Sequence, residues 1–157
     1  MLRLPIELRA NGDANAAEAE AVLRALPDWF ELEGALLELV QAARTSPTFI
    51  ATEEGGDVGF LTLSSRTQEA AEITAMGVLP EWHRRGIGRA LVEEACQFAL
   101  DQGARLLQVK TLGPSHPSEQ YARTRTFYEA LDFIPLEETT AFWGVGNPCL
   151  ILVRTLS

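Results

Sequence analysis

The feature that constrains the fold most is a junction between a strand and a helix at residues 78–91. An apolar strand, Ala71 to Leu79, is followed after a short basic turn by a long amphipathic helix, Gly86 to Gln102. Two glycines, Gly86 and Gly88, stand one residue apart at the helix start. A strand joined this tightly to a helix predicts packed layers of sheet and helix, and therefore an α/β domain.

Hydrophobic periodicity predicts the elements on both sides of this junction. Leu2, Leu4, Ile6 and Leu8 alternate with polar residues, which predicts a first strand. The other predicted elements are helices Ala16 to Leu26 and Leu32 to Ala43, strands Thr48 to Thr52, Val58 to Ser64 and Leu106 to Thr111, helix Glu119 to Leu131, and strands Phe133 to Thr140 and Cys149 to Thr155. The order β-α-α-β-β-β-α-β-α-β-β predicts one α/β domain over residues 1–157 with a mixed sheet.

Composition argues against several classes of function. A formal net charge of −9 lacks the basic footprint of a nucleic-acid-binding protein. The longest apolar stretches, such as Ala35 to Val40, are too short to cross a membrane, and charges follow the first residues directly, so we expect a soluble cytoplasmic protein. Cys96 and Cys149 lie in apolar patterns that predict buried free thiols. The two histidines stand far apart, so we expect no metal site.

The turn before the long helix predicts an anion site. The amides at a helix start have no helical partner, the helix dipole is positive there, and glycine lets a ligand approach the backbone. Basic side chains cluster in the same turn, namely His83, Arg84, Arg85 and Arg89. A Walker loop is excluded because no Gly-Lys-Ser or Gly-Lys-Thr occurs, and a dinucleotide fingerprint is excluded because Leu91 takes the place of its third glycine.

Two segments resemble the GNAT N-acetyltransferases. The acetyl-CoA signature of that family reads Arg or Gln, two residues, Gly, one residue, Gly or Ala. Gly86 and Gly88 match it, whereas His83 departs from its first position. The later pair Phe127 and Tyr128 resembles the aromatic-Tyr pair of the family's last helix. Asp132 stands where the family has Gly before Phe133, and it tolerates the same left-handed backbone.

This resemblance implies the GNAT-like acyl-CoA N-acyltransferase fold, a central mixed, mostly antiparallel sheet flanked by helices. Its activity is transfer of an acetyl group from acetyl-CoA to an amine by direct attack, without a metal. The stretch from Thr111 to Cys149 further resembles a poorly characterised bacterial subgroup of the family. The positions that the resemblance assigns to acetyl-CoA are Met76, Gly77, Val78, His83, Arg84, Arg85, Gly86, Ile87, Gly88, Arg89 and Tyr121.

The resemblance also implies catalytic roles. Tyr128 is expected to donate a proton to the leaving coenzyme A thiolate. Glu72, on the strand before the predicted anion site, is the candidate general base. An ordinary solvent-exposed glutamate on a strand explains its presence equally well. Further candidates are His116 and Glu137 for the base, and Trp29, Phe30 and Trp143 for the acceptor pocket, with core anchoring as the alternative for these aromatics.

Two other functional classes remain open at this stage. One is a catalytically inactive GNAT-fold protein that senses acyl-CoA, against which the retained Tyr128 argues. The other is a structural protein that pairs through a sheet edge and keeps only vestigial glycines. Proteins of the GNAT type commonly form homodimers, and we expect the same here. The acceptor and the preferred acyl chain stay open, because a small polyamine, an antibiotic, an amino acid, a peptide N-terminus and a protein lysine all fit the sequence.

Overall fold

The computed structural model describes residues 6–9, 13–26 and 33–157. Its elements are β1 (Ile6–Arg9), α1 (Asp13–Arg24), α2 (Glu33–Thr45), β2 (Thr48–Glu53), β3 (Gly56–Ser65), β4 (Ala70–Val78), a 3₁₀ turn (Pro80–Trp82), α3 (Ile87–Asp101), β5 (Leu106–Leu112), α4 (Glu119–Ala130), β6 (Ile134–Thr139) and β7 (Cys149–Thr155). The predicted order of helices and strands is confirmed. The predicted start of the first strand at Leu2 lies outside the described residues, as do Trp29 and Phe30.

The seven strands form one mixed sheet in the order β1-β2-β3-β4-β5-β7-β6. β4 and β5 run parallel, and every other neighbouring pair is antiparallel. The parallel pair requires a crossover connection, which α3 provides. The mostly antiparallel sheet flanked by helices is thus confirmed.

The hairpin between β2 and β3 shows how local sequence determines register. Glu53 pairs with Gly56, which leaves Glu54 and Gly55 as a two-residue turn with φ angles of 51° and 78°. Positive φ at both central residues is the mark of a type I′ turn, whose twist matches that of the flanking strands. The segment Glu-Glu-Gly-Gly-Asp, residues 53–57, therefore joins β2 and β3 in a tight hairpin.

Each face of the sheet carries its own core. Leu91 and Ala95 of α3 pack with Leu61 of β3 on one face, whereas Leu23 of α1 packs with Phe60 of β3 on the other. Phe60 and Leu61 are adjacent in sequence and both 0% exposed, because consecutive strand residues point to opposite faces. Burial of such a side chain contributes about 2 kcal/mol. This double burial explains why β3 is an apolar run and not an alternating pattern.

Two expectations from composition concern the state of the cysteines and the presence of a membrane-spanning segment. Cys96 and Cys149 are buried free thiols, as predicted. Burial raises the pKa of the Cys96 thiol to about 11, so it stays protonated at neutral pH. Among helices of the described ranges, none has the length and apolarity that a membrane crossing requires.

Candidate active site

The sheet splits between β4 and β5, and this split defines the site. The two strands pair from Ala70 with Leu106 to Ile73 with Val109. Beyond that point the described residues show no pairing between them, although β4 continues to Val78 and stays paired with β3. The end of β4 therefore presents backbone groups without a strand partner on its β5 side, and a buried backbone group of this kind requires a hydrogen-bonding partner.

A β-bulge lies where the strands part. Leu63 pairs with Ile73 and Thr62 pairs with Ala75, so Thr74 is an extra residue in β4. The Thr74 hydroxyl hydrogen-bonds the Ser64 hydroxyl. A bulge bends its strand and increases the local twist. Thr74 thus turns β4 away from β5 directly after their last shared pair.

The start of α3 presents backbone donors at the end of β4. Ala90 N–H donates to the Gly86 carbonyl at 3.0 Å, which is the first helical hydrogen bond. The amides of Ile87, Gly88 and Arg89 come before the fourth helical residue and so have no partner within the helix. Gly86 is the N-cap and supplies no side-chain cap. These amides and the helix dipole are the features on which the predicted anion site depends.

The two glycines at this turn are required for different reasons. Gly86 has φ of 80° and nothing within 4 Å of the position of a Cβ, so glycine is favoured there by backbone conformation alone. At Gly88 a Cβ would lie 3.0 Å from Cζ of Phe127. The absent side chain of Gly88 therefore makes room for Phe127 of α4, a packing requirement that the sequence did not reveal.

The basic residues of the turn also divide by role. Arg84, Arg85 and Arg89 are exposed around the helix start, and the Arg85 guanidinium stacks 4.7 Å from the centre of the Trp82 ring. His83 differs, because its Nε2 lies 2.6 Å from the Val78 carbonyl oxygen. The imidazole thus ties the turn back to the end of β4, while three arginines remain at the surface beside the amides.

The three β4 residues expected at the pantetheine arm have distinct surroundings. Met76 is half-buried against the α3-side core, and the Val78 carbonyl contacts His83. Gly77 faces α1, where a Cβ would lie 3.0 Å from Val22 Cγ1 and 3.5 Å from Phe60 Cε1. Glycine at position 77 is therefore required by the packing of α1 on the sheet, whatever its backbone binds.

Tyr128 of α4 lies in the α3-side core with 5% of its surface exposed. Its ring makes edge contacts with Phe127 and Phe133, with centroid distances of 5.2 Å and 5.5 Å. Burial raises the pKa of the Tyr128 phenol well above its usual range, and within the described part of the chain no hydrogen bond to the hydroxyl offsets this. The phenol is thus protonated at neutral pH, as a proton donor must be. Asp132 ends this region with φ of 70°, as predicted for the residue in the glycine position.

Glu72 is not the solvated strand glutamate that exposure arguments allow, because only 3% of it is exposed. Arg66 donates to its Oε2 through Nε at 3.0 Å and also through Nη2, and Gln108 donates to its Oε1 at 2.7 Å. Lys110 Nζ lies 3.3 Å from the same Oε1. Parallel register explains the cluster, since Glu72 pairs with Gln108 across β4 and β5.

The surroundings of Glu72 decide its charge. Burial acts to raise the pKa of its carboxyl, but the hydrogen bonds from Arg66 and Gln108 and the charges of Lys110 and Arg66 outweigh burial. The net result is a pKa below the usual value of a glutamate. Glu72 is therefore ionised at neutral pH, with both oxygens engaged, and a carboxylate of lowered pKa is a weaker base than an ordinary one.

The remaining predicted residues lie near the end of β5. Tyr121 is half-buried in the first turn of α4, whose N-cap Ser118 accepts from the Tyr121 N–H at 3.4 Å. An open cleft of about 540 Å³ separates the β5–α4 loop from the β6–β7 connection, and its lining includes His116. Glu137 and Trp143 are exposed. Neither Glu72 nor Tyr128 lines this cleft.

Sequence reasoning missed three charged residues that the fold pairs with other parts of the chain, and two of them lie beside Glu72. Arg66 sits in the β3–β4 turn and Lys110 on β5, and only the strand pairing joins them to Glu72. One signal was available, because Lys110 is the single lysine of the chain and lies within an apolar strand. Glu138 was missed as well; its carboxylate accepts from Ser115 N–H at 3.0 Å and Oγ at 2.5 Å, which joins the β5–α4 loop to β6.

The fold and the site together define a class of protein. A mixed sheet opens between two parallel strands, and a helix start with unpartnered amides and exposed arginines lies where one of those strands ends. This is an α/β domain in which a helix start with the features of an anion site lies beside an opening between two parallel strands.

Comparison with known proteins assigns the family. The Acetyltransferase (GNAT) domain profile matches residues 44–135. An uncharacterized N-acetyltransferase from Chlorobaculum tepidum is 30% identical over 105 residues, which cover 64% of this chain and 66% of that relative. This chain belongs to the GNAT acetyltransferase family.

Solved structures agree on the fold. A GNAT-family protein from Desulfovibrio desulfuricans superposes with a TM-score of 0.81 at 24% identity, over 98% of this chain and 100% of the other. A GNAT acetyltransferase from Elizabethkingia anophelis, solved with acetyl-CoA bound, has a TM-score of 0.75 at 15% identity, over 99% and 100% of the two chains. At these identities the likeness concerns architecture.

Proposed function

We propose that residues 1–157 form one N-acetyltransferase domain that transfers an acetyl group from acetyl-CoA to a primary amine by direct attack. The observation that carries the proposal is the position of the α3 amides, which lie at the end of β4 just where β4 has parted from β5. A phosphate-bearing ligand with an extended arm matches that arrangement. The acetyl-CoA bound to the structural neighbour from Elizabethkingia anophelis is a ligand of this kind.

In this proposal the backbone does most of the cofactor binding. The amides of Ile87, Gly88 and Arg89 donate to the pyrophosphate, and the exposed side chains of Arg84 and Arg85 add charge beside them. The β5-facing backbone of Met76, Gly77 and Val78 receives the pantetheine arm. His83 supports this site indirectly through its contact with the Val78 carbonyl.

Tyr128 is the proposed proton donor. The nitrogen of the neutral amine forms a bond to the thioester carbonyl carbon, the carbon–sulfur bond breaks, and the Tyr128 phenol gives its proton to the sulfur. The proton that the amine loses passes to solvent, and the Tyr128 phenolate takes up a proton from solvent before the next turnover. The raised pKa of the buried phenol keeps this proton in place until a thiolate forms. Since both Glu72 oxygens are engaged, we assign that carboxylate to holding the Arg66–Lys110 cluster and not to removing the amine proton.

Thiol release with a library of amines tests the proposal, combined with calorimetric titration of acetyl-CoA. We expect saturable binding and amine-dependent release of coenzyme A. Binding without release for any amine would support the inactive acyl-CoA sensor in place of the enzyme. Absence of binding by the folded protein would contradict both functions.

A further inference from the structure

Lys110 occupies a particular place at the split in the sheet. It follows Val109, the last β5 residue that pairs with β4, so it is the first β5 residue past the point where the strands part. It is also the single lysine in a chain with twelve arginines. A lysine ammonium is a compact point charge, whereas a guanidinium is a broad fork. The compact cation suits a position between the Glu72 carboxylate, 3.3 Å away, and the Phe142 ring, 4.4 Å away.

The cluster around Lys110 has a surplus of positive charge. Arg66 and Lys110 contribute two positive charges, and Glu72 contributes one negative charge, which leaves one positive charge. This surplus lies in a chain whose formal net charge is −9. The buried carboxylate holds both cations in place and neutralises only one of them. The cluster therefore favours a ligand with one negative charge.

Lys110 has an aromatic neighbour beside its ionic partner and is accessible to a ligand. Phe142 of the β6–β7 connection covers Lys110 and is itself 54% exposed, while the Lys110 side chain is 20% exposed. Val109 faces the core that contains α3, and successive side chains of a strand point to opposite faces of the sheet. Lys110 therefore lies on the face of the sheet away from α3. On that face, α1 and α2 pack on the sheet, and the described residues of their core come from no part of β5, β6 or β7. A charge beside an aromatic ring in a half-buried position is screened less than one on the open surface.

On β6, strand register places the charged group Glu137 on the same face as Lys110. Lys110 pairs with Ile151, which pairs with Glu137, so Glu137 lies two strands from Lys110, at about 10 Å between backbones. Glu137 is exposed, and solvent screens an exposed charge at that distance. It does not cancel the charge at Lys110.

We propose that the acceptor is an amine that also carries a carboxylate, with Lys110 as the partner of the carboxylate and Phe142 as an apolar wall beside it. The inference rests on the proposed acetyl transfer and names its acceptor class. The Lys110 ammonium repels a second ammonium at the same place, so polyamines and other polycationic amines are poor acceptors. The same positive charge lowers the pKa of the acceptor amine and so favours the neutral, nucleophilic form.

Matched acceptors test this inference on the full-length chain. Thiol release is measured for a set of α-amino acids and for the carboxamide of each, which keeps the amine and the side chain but removes the negative charge. We expect kcat/KM to be about tenfold or more higher for the carboxylates. Lys110→Gln should abolish this preference, Lys110→Glu should reverse it, and Lys110→Arg should retain part of it.

Arg105→Gln is the matched control, because it removes an exposed positive charge at the other end of β5 and should leave the preference intact. Calorimetric binding of each acceptor to the coenzyme A complex separates the two proposals. Selective binding of carboxylates that is lost in Lys110→Gln would support the acceptor class even if no turnover occurs. The absence of turnover would then contradict the proposed acetyl transfer and leave the acceptor class intact. Equal turnover and equal binding of carboxylates and carboxamides, or no acceptor binding at all, would overturn the acceptor class.

Discussion

The proposed cofactor side and the proposed acceptor side of the split are built in different ways. The proposed cofactor side comes from one contiguous stretch, residues 76–89, and presents mainly backbone groups. The acceptor side joins Arg66, Glu72, Lys110 and Phe142 from four separate places in the chain and presents side chains. Recognition by backbone requires only a local conformation, whereas recognition by side chains requires the correct tertiary pairing. The two sides should therefore respond differently to substitution.

The largest effect is expected at Tyr128, the proposed proton donor. Tyr128→Phe keeps the ring that contacts Phe127 and Phe133 and removes only the hydroxyl. We expect kcat to fall by about 10²- to 10⁴-fold, the usual contribution of a positioned proton donor. Acetyl-CoA affinity and urea stability should stay the same. Wild-type kcat in this variant would remove Tyr128 from the mechanism.

The next effect concerns the acceptor side, where Glu72→Gln removes the charge that holds both cations. We expect a loss of about 2 kcal/mol in unfolding free energy at neutral pH, since two basic groups lose a charged partner. Acetyl-CoA affinity should be unchanged, because none of residues 83–89 at the start of α3 contacts Glu72. Urea unfolding and calorimetric titration measure the two quantities.

The pH dependence of the same variant sharpens this prediction. The pKa of Glu72 is lower in the folded state than its usual value of about 4.3, so its stabilisation is complete above that value. Stabilisation is lost as the pH falls through the lowered folded pKa. The difference between wild type and Glu72→Gln should therefore shrink in this acidic window. A difference that stays constant from pH 7 to pH 3 would contradict the ionised cluster.

The smallest effect is expected from Gly88→Ala on the cofactor side. Its Cβ would lie 3.0 Å from Phe127 Cζ, so the two helices must shift slightly, at a cost of about 1 kcal/mol. Combination with Phe127→Leu should recover part of this loss in a double-mutant cycle of urea unfolding. Strictly additive losses would show that Gly88 does not make room for Phe127.

The difference between local conformation and tertiary pairing also explains which features could be predicted from the sequence. Periodicity and turn signals are local, so the order of elements and the β2–β3 hairpin were predictable, and so was the helix start at Gly86. The partner of Gly88 was not, because Phe127 lies on another helix. The Glu72 cluster depends on the parallel register of Glu72 with Gln108, which no local pattern reveals. Lys110 left one trace, as the single lysine in the chain.

His83 shows a further limit of motif comparison. In the signature its position is Arg or Gln, and the resemblance therefore assigned His83 to acetyl-CoA. In the fold its imidazole contacts the Val78 carbonyl at 2.6 Å. A motif identifies the position of a residue along the chain, but the direction of its side chain depends on the turn around it. The neighbouring Arg84 has φ of 64°, a backbone conformation that is uncommon outside glycine.

Calorimetric titration of Gly86→Ala against Gly103→Ala tests whether the backbone at the start of α3 binds acetyl-CoA, as we propose. Both glycines have positive φ, 80° and 97°, and nothing within 4 Å of the position of a Cβ, so each substitution should cost about 1 kcal/mol of stability. We expect Gly86→Ala to weaken acetyl-CoA binding by about tenfold, whereas Gly103→Ala should bind like wild type. Equal affinities for the two variants, or an intact protein that does not bind acetyl-CoA, would contradict binding at this helix start.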